Sequence, residues 1–290
     1  MKFLTYTALL CLAALISACE SEVPGDLGLH DYEGETVVNA AFSSDHTPRV
    51  FVSRSKGILE ATPYTYIGDA SVRIIQNGKS IALEHNTFGI YETDQSLLAG
   101  QPFKVEVTTA SGTTTGEDII PDPVVIKSLK HIDTIGVLGL GQTISKTTLV
   151  WDDAADEENH YELLMYQMTG DTIDFMPMNS TSLSIINGSS GEIFSNGDNY
   201  INRFLIADDL FNGKEFTLDV FTLSPRKGDT IYVSLKSLSP IYFDYLLNRQ
   251  LAAESIGDPF AEPISAVTNI TNGLGIVAGY SLDMDTIPGN

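Results

Sequence analysis

Beyond residue 19 the chain contains no cysteine: its two, Cys11 and Cys19, both fall near the N-terminus. The body of the protein therefore has no disulfide, no thiol nucleophile and no thiolate metal ligand. Positive charge is equally scarce, with 16 Lys and Arg against 38 Asp and Glu and a formal net charge of −22. That balance excludes docking on nucleic-acid phosphates or on anionic headgroups, both of which call for a basic face. No apolar run is long enough for a membrane-spanning helix, which needs about 20 residues. The five histidines (His30, His46, His85, His131, His160) form no metal-ligand pair. No G-x-S-x-G elbow occurs, and Gly188-Ser189-Ser190-Gly191 has the wrong spacing for one. Composition and motifs together predict a protein with no cofactor and no enzymatic activity.

What is present begins at the N-terminus. Met1–Lys2 gives a basic start and Phe3–Ile16 a short apolar run. Ile16-Ser17-Ala18-Cys19 then reads as a lipobox, so residues 1–18 are expected to be a cleaved export signal. Cys19 would carry diacylglycerol on sulfur and a further acyl chain on its amine. Each buried CH₂ contributes roughly 0.8 kcal/mol, so several chains together anchor a protein durably. The expected location is the cell outer membrane, with the protein lipid-anchored on its periplasmic or surface-facing leaflet. Residues 19–35 are acidic and turn-rich and read as a tether.

From residue 36 onward the pattern is that of strands. Phe103-Lys104-Val105-Glu106-Val107-Thr108 alternates apolar and polar residues, and Asn77-Gly78 marks a tight hairpin between Ala70–Gln76 and Ser80–Glu84. Further strands are predicted over Thr36–Phe42, Arg49–Ser53, Gly89–Thr93 and Thr113–Ile119, up to the break at Ile120-Pro121-Asp122-Pro123. A second set follows over Val124–Ile135, Thr147–Trp151, Tyr161–Met168, Phe204–Ala207, Glu215–Leu223 and Thr230–Lys236. The fold class predicted is all-β: two consecutive antiparallel β-sandwich domains, Ig-like or fibronectin-like, over residues 36–123 and 124–290. One helix is predicted at about residues 240–253, with Ser239 as N-cap and Pro240 at its first position. Its expected role is to close an open end of the second sandwich. The tail, Ile270–Leu282, is expected to add a strand to that same sandwich, burying Ile270, Leu274 and Ile276.

Several stretches raise specific chemistry. Asp152, Asp153 and Asp156, with Glu157 and Glu158, crowd one loop after Trp151; calcium takes six to eight oxygens from such loops, but the D-x-D-x-D-G order is absent and a solvated turn is the simpler account of the cluster. Gly273-Leu274-Gly275-Ile276-Val277-Ala278 matches a dinucleotide-binding pattern, but only twelve residues follow, so no βαβ unit fits. Asp-Thr-Ile occurs four times. It resembles the O-glycosylation acceptor motif of exported Bacteroidota proteins, with Thr172 and Thr286 as the candidate acceptors; an Asp turn leading into a strand gives the same residues. Carboxylate pairs for glycoside hydrolysis could assemble only in space. The polar, turn-rich stretch Gly170–Asn199 is long for a structural connection and is the expected binding loop.

A set of motifs spread along the chain resembles one family. It comprises Val37–Phe42 with Pro48–Ser53, the Ala70-Ser71-Val72-Arg73-Ile74 and Gly89-Ile90-Tyr91 pair, and Gly100–Val107. The tail adds Pro259-Phe260-Ala261-Glu262-Pro263 and Thr268–Ile276. These resemble the Bacteroidota lipoprotein family called domain of unknown function 4249, with Val277–Tyr280 standing where an aromatic residue is common. The resemblance carries no catalytic residues. It implies an outer-membrane accessory to a TonB-dependent nutrient-uptake receptor. The other readings are a stand-alone surface glycan-binding module and, more remotely, a hydrolase with a spatially assembled carboxylate site. Exposed aromatics on a sheet face would favour glycan binding, a close carboxylate pair in a deep cleft hydrolysis, and a broad apolar patch a protein partner.

Overall fold

A computed structural model describes residues 32, 34–57, 60, 62–137, 142–155, 157–186, 202–224, 228–255, 260, 262 and 264–289. The chain divides into two compact units, residues 1–34 with 56–60 and residues 35–55 with 61–290; all the described strands belong to the second. The export signal, Cys19 and nearly all of the predicted tether lie outside the described residues.

The first eight strands are β1 (Thr36–Phe42), β2 (Arg49–Arg54), β3 (Thr65–Tyr66), β4 (Ser71–Gln76), β5 (Lys79–His85), β6 (Ile90–Glu92), β7 (Gln101–Thr109) and β8 (Gly112–Ile120). The second set is β9 (Ile126–Val137), β10 (Thr143–Asp152), β11 (His160–Thr169), β12 (Thr172–Phe175), β13 (Met178–Asn179), β14 (Phe204–Ala207), β15 (Glu215–Leu223) and β16 (Ile231–Leu238). Helix α1 (Pro240–Glu254) then precedes β17 (Ile270–Thr271) and β18 (Leu274–Ile287). The chain is all-β with one helix, as the alternation predicted.

The strands build two lobes. In the N-terminal lobe β18, β1, β2, β6, β5, β4, β7, β8 and β17 follow one another in a continuous antiparallel path, with β1–β18 the one parallel pairing among the described strands. Alternate residues point inward, so Val38, Phe42, Val52, Ile74, Tyr91 and Val105 share one core. In the second lobe a four-stranded sheet, β13–β15–β10–β9, faces the sheet β12–β11–β16–β18 with β14 on β11. Trp151 fills its centre, edge-on to Tyr161 at 5.6 Å and to Phe216 at 4.9 Å.

Two expectations need correction. The tail does not belong to the second sandwich alone. β17 pairs with β8, and the first half of β18 lies parallel to β1 from Val37↔Leu274 to Phe42↔Gly279, while its second half pairs with β16 from Leu238↔Tyr280 to Ile231↔Ile287. A 14-residue strand is long enough to serve both lobes. Ile276 and Val277 are buried, Ile270 packs on the N-terminal core, and Leu274 remains exposed. Gly279 lets β8 cross at close range, since a Cβ there would collide with the Ile119 carbonyl oxygen. The Gly273–Ala278 motif thus runs into this strand, with no helix after it.

The helix, too, sits elsewhere. It lies on the outer face of the second lobe's sheet, where Phe243 and Leu246 pack on Leu205 of β14 and Leu238 of β16. The reason is legible in β11: from His160 to Leu163 every residue is buried, so both faces of the strand need cover. Ser239 caps the helix by accepting the Tyr242 N–H at 3.3 Å. Among the described residues no helix is long and apolar enough to cross a membrane.

A candidate ligand-binding face on the N-terminal lobe

The outer face of β2, β3 and β6 carries a row of aromatic side chains that sequence reasoning did not single out. Phe51 meets Tyr66 edge-on at 5.8 Å between ring centroids, and Tyr66 meets Phe88 at 5.8 Å. Tyr66 is 45 % exposed and Phe88 is 68 % exposed. Tyr64, two residues before Tyr66, is exposed as well.

Phe88 is held there by an unusual backbone. Thr87–Ile90 forms the turn between β5 and β6, closed by the Ile90 N–H donating to the Thr87 carbonyl at 2.9 Å. Phe88 has φ +49°, and Gly89 follows at +73°. Both central residues in the left-handed region make a hairpin turn that normally takes Asn-Gly or Gly-Gly. A bulky aromatic residue there is an outlier costing on the order of 1–3 kcal/mol. Gly89 is required, because a Cβ would collide with the Val52 carbonyl oxygen; its own carbonyl accepts the Val52 N–H at 2.8 Å. The turn is thus locked onto β2, and Phe88 projects from it.

Tyr66 is fixed by a second device. The buried Tyr91 hydroxyl donates to the Ile67 carbonyl at 3.0 Å and accepts the Ala70 N–H at 2.9 Å. Burial raises the Tyr91 pKa, so the hydroxyl keeps its proton and stays a donor. It pins the segment that follows Tyr66 to β6.

Next to the aromatic row lies a polar groove of about 560 Å³ lined by Glu84, His85, Asn86, Glu92, Asp94 and Gln95 with Ala82 and Thr93. The register joins the two: Phe51 pairs with Ile90 and Arg49 with Glu92, so row and groove are one step of about 7 Å apart along the same strands. Arg49 Nε donates to Glu92 Oε2 at 3.1 Å, and Asn86 Nδ2 donates to Glu92 Oε1 at 2.7 Å. Both oxygens of Glu92 are therefore oriented, which presents a fixed hydrogen-bond acceptor to the groove.

The sites predicted from sequence fall elsewhere. Asp152 is exposed at the end of β10 and pairs with Lys127 Nζ at 2.9 Å. Asp153 is buried, accepts a hydrogen bond from the Tyr161 hydroxyl, and accepts the Gly213 N–H at 2.7 Å. Burial raises its pKa. Asp156 and Cys19 lie outside the described residues. Asp152 and Asp153 are thus taken up by separate partners, and no cluster of three or more metal-ligating side chains occurs among the described residues. Thr172 and Thr286 are both exposed on strands, on β12 and β18. The loop Gly170–Asn199 is described only to residue 186, and that part carries more core than its polarity suggested. It forms β12 and β13 and buries Met176, Met178 and Ile185 in the second lobe.

A family profile described as "Domain of unknown function (DUF4249)" matches residues 23–286. No curated protein matches the chain. Among solved structures, the chain is similar to a Bacteroides uniformis protein assigned provisionally to carbohydrate binding, at 10 % identity and a TM-score of 0.23, covering 87 % of this chain and 98 % of that one. It is similar to Salmonella alpha-2-macroglobulin at 10 % identity and a TM-score of 0.24, covering 86 % and 15 %. The B domain of a biofilm associated protein matches at 6 % identity and a TM-score of 0.21, covering 88 % and 87 %.

Proposed function

The chain belongs to the DUF4249 family, and on that premise we propose that it is a non-enzymatic glycan-binding module. The observation that carries this reading is the aromatic row Phe51–Tyr66–Phe88 beside the groove lined by Asn86 and Glu92, whose carboxylate Arg49 holds. An aromatic face covers the apolar C–H face of a sugar ring, while fixed carboxylate, amide and guanidinium groups satisfy its hydroxyls. The strain at Phe88 supports a functional origin, because a relaxed turn residue would serve folding better. In this reading Cys19 carries the lipid that tethers the module to the outer membrane. The glycan it concentrates would serve the TonB-dependent receptor that the sequence resemblance implies as a partner.

The test is affinity electrophoresis of the full chain in gels containing neutral polysaccharides, followed by calorimetry with fragments of whichever polysaccharide retards it. Phe88→Ala and Tyr66→Ala should each abolish retardation while leaving the unfolding temperature within a few degrees. Unchanged retardation in both variants would move the binding surface elsewhere. For the tether, labelled palmitate should enter the wild type and not Cys19→Ala.

A further inference from the structure

The polar end of the open face holds more carboxylates than cations. β5, β6 and β2 bring Glu84, Glu92 and Arg49 level with one another, since Glu84 pairs with Glu92 and Glu92 with Arg49. Side chains directly opposite on neighbouring strands share a face, with Cβ atoms about 5 Å apart, and like charges so placed destabilise a sheet. Glu84 and Glu92 are such a pair. Arg49 answers only one of them, its Nε donating to Glu92 Oε2 at 3.1 Å. Glu84 and Asp94, the other carboxylates lining the groove of about 560 Å³, have no ion pair among the described residues. Arg73 on β4 lies level with Ala82 of the groove, but Glu106 on β7 holds it, Nε to Oε2 at 2.6 Å. One step of about 7 Å along the same strands stands the ring row, with Phe88 in its strained turn. Two locally costly choices, a bulky residue at positive φ and a pair of opposed carboxylates, thus share one face, as local conflicts do at functional sites.

We infer that this groove takes the ammonium group of an amino sugar whose ring lies on the Tyr66–Phe88 row. The inference rests on the glycan reading above and names the ligand class for that same site. Aromatic rings cover the C–H face of any pyranose; the carboxylates decide which pyranose. An ammonium group has three donors and no acceptor, so it matches a place lined by Glu84, Asp94 and the fixed Glu92. It also relieves the Glu84–Glu92 opposition, which an uncharged acetamide leaves in place. A uronate would bring a further carboxylate to the groove and be repelled. The Gln95 amide, which both donates and accepts, suits the remaining hydroxyls.

The experiment is calorimetry or ligand-observed NMR on the full chain with the glucosamine disaccharide, its N-acetylated form, a galacturonate disaccharide and trilysine. The amine-bearing disaccharide should bind roughly tenfold or more tightly than the acetylated one, the difference expected for one charged hydrogen-bonding partner. The galacturonate disaccharide should not bind. Glu84→Gln should remove the preference for the amine, and Phe88→Ala should weaken both glucosamine ligands. Glu157→Gln, at an exposed position on the second lobe, changes the net charge equally and should leave the preference intact. Equal affinity for the amine and acetylated forms in the wild type overturns the amine assignment. A loss in Glu157→Gln as large as in Glu84→Gln also overturns it, by showing attraction to the net charge of −22 alone. Trilysine binding as tight, and as sensitive to Glu84→Gln, overturns the sugar assignment. Retardation in the polysaccharide gels without an amine preference overturns this inference and leaves the glycan reading intact, whereas absence of both retardation and disaccharide binding overturns the two together.

Discussion

The two lobes treat the outer face of a sheet in opposite ways. In the N-terminal lobe the outer face of β2, β3 and β6 stays open, and aromatic residues stand on it with Phe88 in a strained turn. In the second lobe the equivalent surface of β11, β14 and β16 is roofed by helix α1, and the strand beneath it carries a buried carboxylate. Cover or its absence decides where each lobe tolerates polar and apolar surface. An open face exposes aromatics to solvent, which suits a ligand that arrives and leaves. A roofed face hides a charge, which must then be neutralised by permanent partners.

The lobes share β18, and the largest test breaks that link. Deleting residues after Asn269 removes β17 and β18, and with them the buried Ile276 and Val277 and the strand between β1 and β16. Each fully buried aliphatic side chain contributes roughly 1.5–3 kcal/mol, and both lobes lose a paired strand at once. Calorimetry of the truncated chain should show no cooperative native transition. A transition retained for the N-terminal lobe would show that β18 serves the second lobe alone.

The roofed face is tested next. Glu162→Ala leaves Lys236, whose side chain is 18 % exposed, without its carboxylate and takes one contact from Arg203, a loss expected to cost about 1–3 kcal/mol. Urea unfolding measures it. A cost below about 1 kcal/mol would mean that solvent screens Lys236 as it does a surface pair and that the helix is a loose cover.

Most of the strands were legible in the sequence, and most of the candidate site was not. Period-2 alternation located β1 and β15 at their observed limits, because one face of each is buried and the other is not; β14, buried on both faces, stood out instead as a short apolar run. β3, β12 and β13 escaped, being two to four residues long and without room for a period. The double role of β18 escaped because strand pairing over more than 200 residues of sequence leaves no local signal. Tyr66 and Phe88 sit in loops or at a loop end, where an exposed aromatic and a core aromatic read alike. Thr87-Phe88-Gly89 did hold a clue: a glycine follows a bulky residue at a hairpin tip, where Asn-Gly would be usual.

Phe88→Asn puts a residue suited to positive φ at the same turn. The variant should be more stable than the wild type by about 1 kcal/mol, read by urea unfolding, while polysaccharide retardation is lost. Stability and binding moving in opposite directions is the signature of strain kept for function. A destabilised variant would show that Phe88 earns its place by packing against Tyr66.

The smallest expected effect lies where helix, tail and N-terminal lobe meet. Asp118 on β8 accepts hydrogen bonds from the Ser239 hydroxyl and, at 2.7 Å, from the Gly279 N–H. Burial raises its pKa above the ordinary 3.8, with those hydrogen bonds opposing the shift only in part. A carboxyl whose folded pKa is raised binds its proton more tightly in the native state. Its contribution to stability is therefore fully present below about pH 3.8 and is lost as pH rises to the raised value. Glu106 on β7 runs the other way, since Arg73 and Lys104 lower its pKa and its contribution is lost as pH falls. Asp118→Asn removes the first component and keeps the second. Wild type and variant should thus differ in a pH-dependent way, with the stability of the wild type relative to Asp118→Asn falling as pH is raised from about 3.8 and then levelling. Urea midpoints taken at half-unit steps between pH 3.5 and 7 measure it. A difference that stays flat, or that grows with pH, would show that the Ser239 and Gly279 hydrogen bonds outweigh burial at this junction.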